Sequence, residues 1–599
     1  MSEDAPSLMS SSFRASRMLV AAAVGDALGW PQEDRAHRTD ASGPSSTGDF
    51  RSWVRRTGGR FFSHEEAIAA GEYSDDTQLL LCTARSILRG ECWHERWSNV
   101  ELPTWTLYER GGGSATIRAA NCWLAGRAPW AQTGDQKAIE RYFEAGGNGA
   151  AMRILPHAIA GHRDTDFSRI RRAIIANGIS THGHPRALIG ALAYGFVAWT
   201  TIRLTGTLKF GQLVEAALDG TSAWGELPEA PTVPTDWCQT ADGTTTGGYA
   251  RLWNEAVEEM QQLFRTCIEG VSRGALAVDS EVLADLGSFD RRMRGAGTVA
   301  TAASVFLASR HAADPIHGLL SAAYATDADT DTLASMAAAL LGGLHGDDWL
   351  RDHVVKLQDS RYILSVADEL VAGKLNSDVE ERPEATVTRR DIDVVREMLD
   401  SAQPFSVVDL PDGRKATVAA RPALLKPRSG STRVYRWQLH ISDGQSIYVK
   451  KFGRVPKSQE SRSATSNGTP QQASFDTVPM ETLARVTRAG VRLPVGNLAE
   501  SRAFYVETLG LRVAKEGPDL INLEGVIALV SPSAAEPKRH ERVAQLGMSV
   551  YVETLAFEEV LSRVRASQPS VRVERSADGR EILRCKDPDG YTVRIFRAH

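Results

Sequence analysis

The sequence predicts a multidomain protein: an all-α domain, a small β-rich module, and a C-terminal α/β module in which a βαβββ unit is repeated. Three observations predict this. From Thr77 to about Gly373 the chain is dominated by Ala, Leu, Ile and Arg at helical spacing, with little period-two alternation. Between residues 389 and 455 alternation takes over, punctuated by turns at Pro411-Asp412-Gly413 and Ser442-Asp443-Gly444. Beyond about Thr482, two successive segments each read strand, amphipathic helix, further strands. At 599 residues the chain is too long for one ordinary core. The expected division is 14–373 (helical), 389–455 (β-rich), 456–481 (linker) and 482–599 (α/β).

Taken in order, Phe13 to Leu28 is helical in pattern and ends in Gly25-Asp26-Ala27-Leu28-Gly29. Residues 34–72 are polar and Gly-rich and read as a long loop. Ala-rich helices are expected over Pro185–Thr201, Gly297–Ala312 and Thr332–Leu344, whereas Asp219–Gly247, rich in Thr, Pro and Gly, reads as a surface insertion. An acidic hinge over Val379–Thr388 and a short helix over Asp391–Leu399 lead into strands at Lys415–Ala420, Arg433–His440 and Ser446–Phe452. Pro456 to Pro479, full of Ser, Thr, Gln and Asn, reads as a disordered linker. Beyond it, strands at Val491–Val495 and Met548–Val552 precede helices at Leu498–Leu509 and Phe557–Ala566, with further strands to Val530 and to Phe596.

Bulk properties exclude several classes. A net charge of −5, with 24% charged residues, gives no electrostatic case for sequence-independent nucleic-acid binding. Six scattered cysteines without C-x-x-C spacing read as the reduced thiols of a cytoplasmic protein. No apolar stretch approaches the length of a bilayer span, and the run Met18–Val24 is read as part of the first helix rather than a signal sequence.

Two distant acidic segments organise the rest. Ser74-Asp75-Asp76-Thr77 opens one apolar helix, and Asp329-Thr330-Asp331-Thr332 opens another. Helix N-termini favour such residues as caps, and that is the plain reading of either segment alone. Together they offer carboxylates and hydroxyls, an all-oxygen set suited to Mg, Mn or Ca and unsuited to zinc. Asp327-Ala328-Asp329-Thr330-Asp331 begins like an EF-hand, but the required Gly and Glu positions hold Thr332 and Ala338.

With these segments placed, residues 14–373 resemble the ADP-ribosylglycohydrolase family. The matches fall in order: Gly25-Asp26-Ala27-Leu28-Gly29 with Glu33, Ser74-Asp75-Asp76-Thr77, Gly147-Asn148-Gly149-Ala150-Ala151-Met152-Arg153, Thr181-His182-Gly183-His184, and Asp329-Thr330-Asp331-Thr332. The resemblance implies two divalent cations, magnesium first, with manganese or calcium as alternatives. Ser74, Asp75, Asp76 and Asp331 would hold one, and Asp329, Asp331 and Thr332 the other. It further implies cleavage of the bond between ADP-ribose and a modified macromolecule, a protein before a nucleic acid. Glu33 and Asp329 are the expected proton-handling carboxylates. Gly147, Asn148, Gly149, Ala150, Met152 and His182 are expected to bind substrate, with Gly113 and Ser114 as a second cradle. One departure stands out: Asp327-Ala328 occupies a place where the family commonly has two glycines.

The C-terminal region resembles the vicinal oxygen chelate (glyoxalase/bleomycin-resistance) family, through Leu498–Tyr505, Leu509-Gly510-Leu511 and Asp587-Pro588-Asp589-Gly590-Tyr591. Val491, Arg492, Met548, Ser549 and Arg594 stand at the positions from which metal-dependent members draw His and Glu ligands. The module is therefore read as metal-free, for ligand binding or homo-oligomer formation. The leading expectation is a hydrolase that reverses ADP-ribosylation, with 14–373 active by itself on a small substrate. The alternatives are a non-catalytic ADP-ribose-binding scaffold, or a small-molecule binding or resistance protein acting through its C-terminal module.

Overall fold

The first helix runs Ser11–Glu33, past the Gly25–Gly29 motif and through Pro31. The motif therefore does not end the helix. Its glycines allow close packing instead: a Cβ on Gly25 would lie 2.2 Å from the carbonyl oxygen of Ala334, and one on Gly29 2.1 Å from that of Thr330. The first helix and the antiparallel helix Thr330–His345 thus meet backbone to backbone, and Thr330 Oγ1 donates to the Gly29 carbonyl at 2.9 Å. This contact carries Glu33 and Asp26 to the start of the Thr330–His345 helix.

The computed structural model describes residues 10–33, 48–59, 62–204, 208–373, 386–428, 432–454, 491–495, 497–509, 511, 513–517, 520–523, 527–530, 549–554, 557–568, 571–575, 581–588 and 592–597. The chain forms two compact units, Met1–Thr465 and Ser466–His599. The linker expected over 456–481 lies outside the described residues, as does most of the acidic hinge.

The expected Ala-rich helices form at Pro185–Arg203, Gly297–Arg310 and Thr330–His345. Asp219–Gly247 is not the expected surface insertion. It contains the helices Thr221–Trp224 and Thr235–Thr244, and Trp224, Val233 and Trp237 are fully buried. The indole of Trp237 donates to Tyr142 Oη at 2.8 Å, so the aromatic anchors override the Thr/Pro/Gly composition.

Residues 34–72 are likewise not one loop. They include β1 (Trp53–Thr57) and β2 (His64–Ile68), an antiparallel hairpin. Further on come β3 (Val407–Asp409), β4 (Lys415–Val418), β5 (Ala423–Pro427), β6 (Thr432–Ile441) and β7 (Ser446–Arg454). All seven make one sheet of order β1-β2-β5-β6-β4-β3, with β7 on β6. The sheet of the 389–455 region therefore takes two strands from the N-terminal part of the chain and lies in the same compact unit as the helices. A shared apolar core joins them: Leu79, Trp97, Trp105 and Tyr108 pack in one cluster with Val395, Leu399, Trp437, Leu439 and Val449.

Buried ion pairs run through the same junction. Glu101 is fully buried and accepts from Arg85 Nη2 at 2.8 Å and from Arg96 Nη2 at 3.0 Å. Arg85 also reaches Gln445 Oε1 at 3.2 Å, at the start of β7. Burial opposes ionisation of Glu101, but Arg85, Arg96 and Arg414 outweigh it and hold the carboxyl at about 2. A carboxyl lowered on folding stabilises the fold at every pH above its unfolded value near ~4.3. That contribution is lost as pH falls toward 2. Glu101→Gln should lower stability by about 3–5 kcal/mol at neutral pH, since it leaves buried guanidinium groups without their carboxylate. Urea titrations at pH 7 and pH 3 check this, the wild-type advantage shrinking at the lower pH.

The second unit carries two four-stranded sheets. One has the order β8-β11-β10-β9, from β8 (Val491–Pro494), β9 (Val513–Gly517), β10 (Leu520–Leu523) and β11 (Ile527–Val530). The other has the order β12-β15-β14-β13, from β12 (Ser549–Thr554), β13 (Val573–Arg575), β14 (Glu581–Lys586) and β15 (Thr592–Arg597). In each the first strand pairs in parallel with the last, which is the duplicated βαβββ pattern. Tyr505 Oη donates to Asp587 Oδ2 at 2.8 Å, joining the two halves through buried side chains.

Candidate metal centre

Ser74 caps the helix Asp75–Ile87, its hydroxyl accepting from the Asp76 N–H at 3.2 Å. Asp26 of the first helix holds this turn: it accepts from Ser74 N at 3.0 Å, Thr77 N at 3.0 Å and Thr77 Oγ1 at 2.6 Å. Asp26 is quoted in the sequence motif but has no assigned role there; its structural role is to fix the carboxylate-bearing turn. The second acidic segment arrives opposite, with Thr332 and Asp329 beside the carboxyl of Asp76. The two segments do meet.

Ligand atoms of Glu33, Asp329 and Asp331 all lie within 4.8 Å of one another. Glu33 is exposed, Asp329 half-buried and Asp331 buried, so the group runs from solvent into the domain. Glu33, expected as a proton carrier, thus belongs to the same cluster as the ligand candidates. Asp75, Asp76 and Ser74 are buried behind it. Burial raises the carboxyls of Asp75, Asp76 and Asp331 well above the ordinary range, and neighbouring carboxylates raise them further. Asp76 Oδ1 is buried with no hydrogen-bond partner. Crowded, desolvated oxygens with so little compensation fit a hard divalent cation.

The supporting loops explain the glycine motifs. Gly111 has φ of 118°, and a Cβ there would lie 2.6 Å from Asp75 Oδ1. Glu109 accepts from the N–H groups of Gly111 and Gly112 at 3.2 and 3.1 Å and helps raise Asp75. Gly113 and Ser114 are exposed at the start of the helix Ser114–Leu124, whose Thr116 hydroxyl is 3.0 Å from where a Gly149 Cβ would stand. The two expected cradles therefore adjoin.

Within Gly147–Ala150 the roles differ from expectation. The Asn148 N–H donates to the Gly295 carbonyl at 2.8 Å, so it is already used; its side-chain amide donates to Asp329 Oδ2 at 2.9 Å. Asn148 positions a carboxylate rather than offering its backbone to an anion. Met152 is also reassigned: it is 5% exposed and packs in the apolar core around Trp97 and Trp105. Ala150 is fully buried, whereas Gly147 and Gly149 are half-buried. His182 is buried, bonded through Nδ1 to Thr181 Oγ1 at 2.7 Å, and its ring backs onto Gly149. Burial, with Arg153 and Arg118 nearby, pushes it down to about 3, so it is neutral. His184 caps the following helix, accepting from Arg186 N at 3.1 Å. Asp327 has φ of 76°, the left-handed conformation that glycine adopts without strain, and its side chain is exposed.

Sequence reasoning also missed the cationic wall beside this centre. Glu66 on β2 is fully buried against Lys450 Nζ at 3.1 Å and Arg110 Nε at 3.5 Å. Arg110 lies over the rings of Trp30 and Tyr448, with its carbon 5.3 and 4.3 Å from their centroids. The sheet thus braces the end of the first helix, close to Glu33.

This fold and site define a mostly helical domain built around a candidate hard-cation centre at two facing helix N-termini. The particular family follows: residues 9–379, more than half of the chain, match the model of the ADP-ribosylglycohydrolase family, and the chain belongs to it. Membership makes it a hydrolase of ADP-ribose linkages. Residues 483–595 match the Glyoxalase/Bleomycin resistance protein/Dioxygenase superfamily. No curated protein matches the chain. Among solved structures, an ADP-ribosylglycohydrolase-related protein complex is 18% identical, covering 61% of this chain and 99% of that one, with a TM-score of 0.39. Lactoylglutathione lyase from Agrobacterium tumefaciens is 17% identical, covering 19% of this chain and 94% of that one, with a TM-score of 0.15. TnmS3, an antibiotic binding protein from Streptomyces sp. CB03234, is 17% identical, covering 19% and 97%, with a TM-score of 0.15. No described helix is long and apolar enough to cross a membrane.

Proposed function

We propose that the chain removes ADP-ribose from a modified macromolecule, a protein before a nucleic acid, with two divalent cations, magnesium foremost. One observation carries this reading: the convergence of Glu33, Asp329 and Asp331 in front of the buried Ser74–Asp76 turn. Ser74, Asp75, Asp76 and Asp331 would hold one cation, and Asp329, Asp331 and Thr332 the other. Bound there, the cations supply positive charge that orients a ribose diol and eases deprotonation of a water.

The chain's own groups do the rest. Asn148 keeps Asp329 turned toward the cluster, and Asp26 keeps Ser74–Thr77 in place. Glu33, the solvent-side member, and Asp329 would handle the proton between them, one carboxylate taking it from the attacking water and the leaving group receiving it in turn. Gly113–Ser114, Gly147 and Gly149 leave room for the remainder of ADP-ribose, with neutral His182 behind. The C-terminal unit would select the target or join copies of the chain.

A panel of substrates ADP-ribosylated on arginine, serine or a nucleic-acid base, each with magnesium and with EDTA, tests this. Release of free ADP-ribose from at least one protein substrate, abolished by EDTA and restored by magnesium, is the expected result. Release that EDTA does not affect would overturn the metal assignment.

A further inference from the structure

A cavity of about 1040 Å³ opens well away from the carboxylates. Ile87 and Leu88 line it, whereas Asp75 and Asp76 stand at the opposite end of the same helix. That helix has 13 residues, which places about 20 Å between the two places. The cavity is of the size that takes a drug-sized ligand, and its wall is aromatic, with Trp93, Trp97, Trp123 and Trp130.

Three of the four rings are held by bonds that already use their polar edges. Trp97 Nε1 donates to Ser180 Oγ at 2.7 Å, Trp123 Nε1 to the Ser180 carbonyl at 2.9 Å, and Trp130 Nε1 to Asp236 Oδ2 at 3.1 Å. Trp123 and Trp130 stand edge to face with centroids 6.0 Å apart. What these three rings have left to offer is aromatic surface.

One polar group in it is unsatisfied. His157 lines the cavity at 5% exposure, stacked edge to face with Trp93 at 4.7 Å, and its Nε2 is buried without a hydrogen-bond partner. Burial, then Arg153 and Arg169, push the ring down to about 3, so it is a neutral imidazole. An orphaned buried nitrogen of this kind is costly in a finished core and useful in a binding site. At the rim Arg169 is engaged by both carboxylate oxygens of Asp164, while Arg172 is exposed.

We propose that this cavity is a second ligand site, for a planar polycyclic aromatic small molecule with one polar group for His157 and an anionic substituent for Arg172. It is separate from the ADP-ribose centre and does not depend on the reading of that centre.

The probe is 8-anilinonaphthalene-1-sulfonate, which has two aromatic ring systems, an aryl N–H and a sulfonate. Titrated into the full chain, it should bind saturably at one equivalent, unaffected by EDTA or magnesium. Binding should weaken about tenfold or more in Trp93→Ala and in Arg172→Glu. Arg172 is exposed, so that variant keeps the fold and the test stands even where Trp93→Ala unfolds. Binding that does not saturate, that is equal in wild type and Arg172→Glu, or that EDTA removes, would overturn the proposal.

Discussion

Asp331→Asn and Asp76→Asn should each lower ADP-ribose release by on the order of 10³-fold or more while raising the melting temperature of the metal-free protein. The two effects have one cause. Asp76 and Asp331 are 2% and 6% exposed and face each other's charge and that of Asp329. Their carboxyls are raised far above the ordinary range, so ionising them costs folding free energy at neutral pH. A neutral amide removes that repulsion. At about 2 cal/mol/K of unfolding entropy per residue, each kcal/mol relieved is worth on the order of 1 °C for a unit as long as Met1–Thr465. A structural acidic cap behaves the other way, losing stability when neutralised. Differential scanning calorimetry in EDTA, beside turnover in magnesium, separates the two. Wild-type activity in either variant would sink the site assignment.

How much of this was legible in the sequence depended on the range of the interaction. The two acidic segments, their helix starts and the all-oxygen ligand chemistry are local signals, written within four residues each. So are the βαβββ repeats. The meaning of Gly25 and Gly29 was not local. Read alone, two glycines four residues apart resemble a helix end, and only the carbonyls of Ala334 and Thr330 against them show a packing contact. The β1–β2 hairpin was missed because Trp53–Thr57 and His64–Ile68 hold few apolar residues. Of its buried members His64, Glu66 and Ile68, two are polar, and the partners of Glu66, Lys450 and Arg110, lie far away in the chain. Met152 and Asn148 were misassigned for a related reason. A motif shows which residues recur together and not which of them face the ligand.

Ending the chain at Val379 should abolish both activity and folding, whereas ending it at Thr465 should leave activity on a small ADP-ribosyl substrate intact. The sequence predicts the opposite for the first truncation, treating 389–455 as a separate module. The structure places that region in the same unit as the helices. Removing it strips Val395, Leu399, Trp437, Leu439 and Val449 from the core that covers Leu79 and Trp105, on the carboxylate-bearing helix Asp75–Ile87 and its neighbour. At about 1.5–3 kcal/mol for each large side chain, the loss is on the order of 10 kcal/mol, as large as the whole stability of a typical domain. Charges make it worse. Glu66 loses Lys450, Glu72 loses the Tyr448 hydroxyl at 2.6 Å, and Arg85 loses Gln445, leaving buried ionic groups short of partners. Circular dichroism and size exclusion report folding of the two truncations, and release of ADP-ribose from the small substrate reports function. A folded, active chain ending at Val379 would show that the sheet is an accessory. The geometry makes it a wall of the catalytic unit.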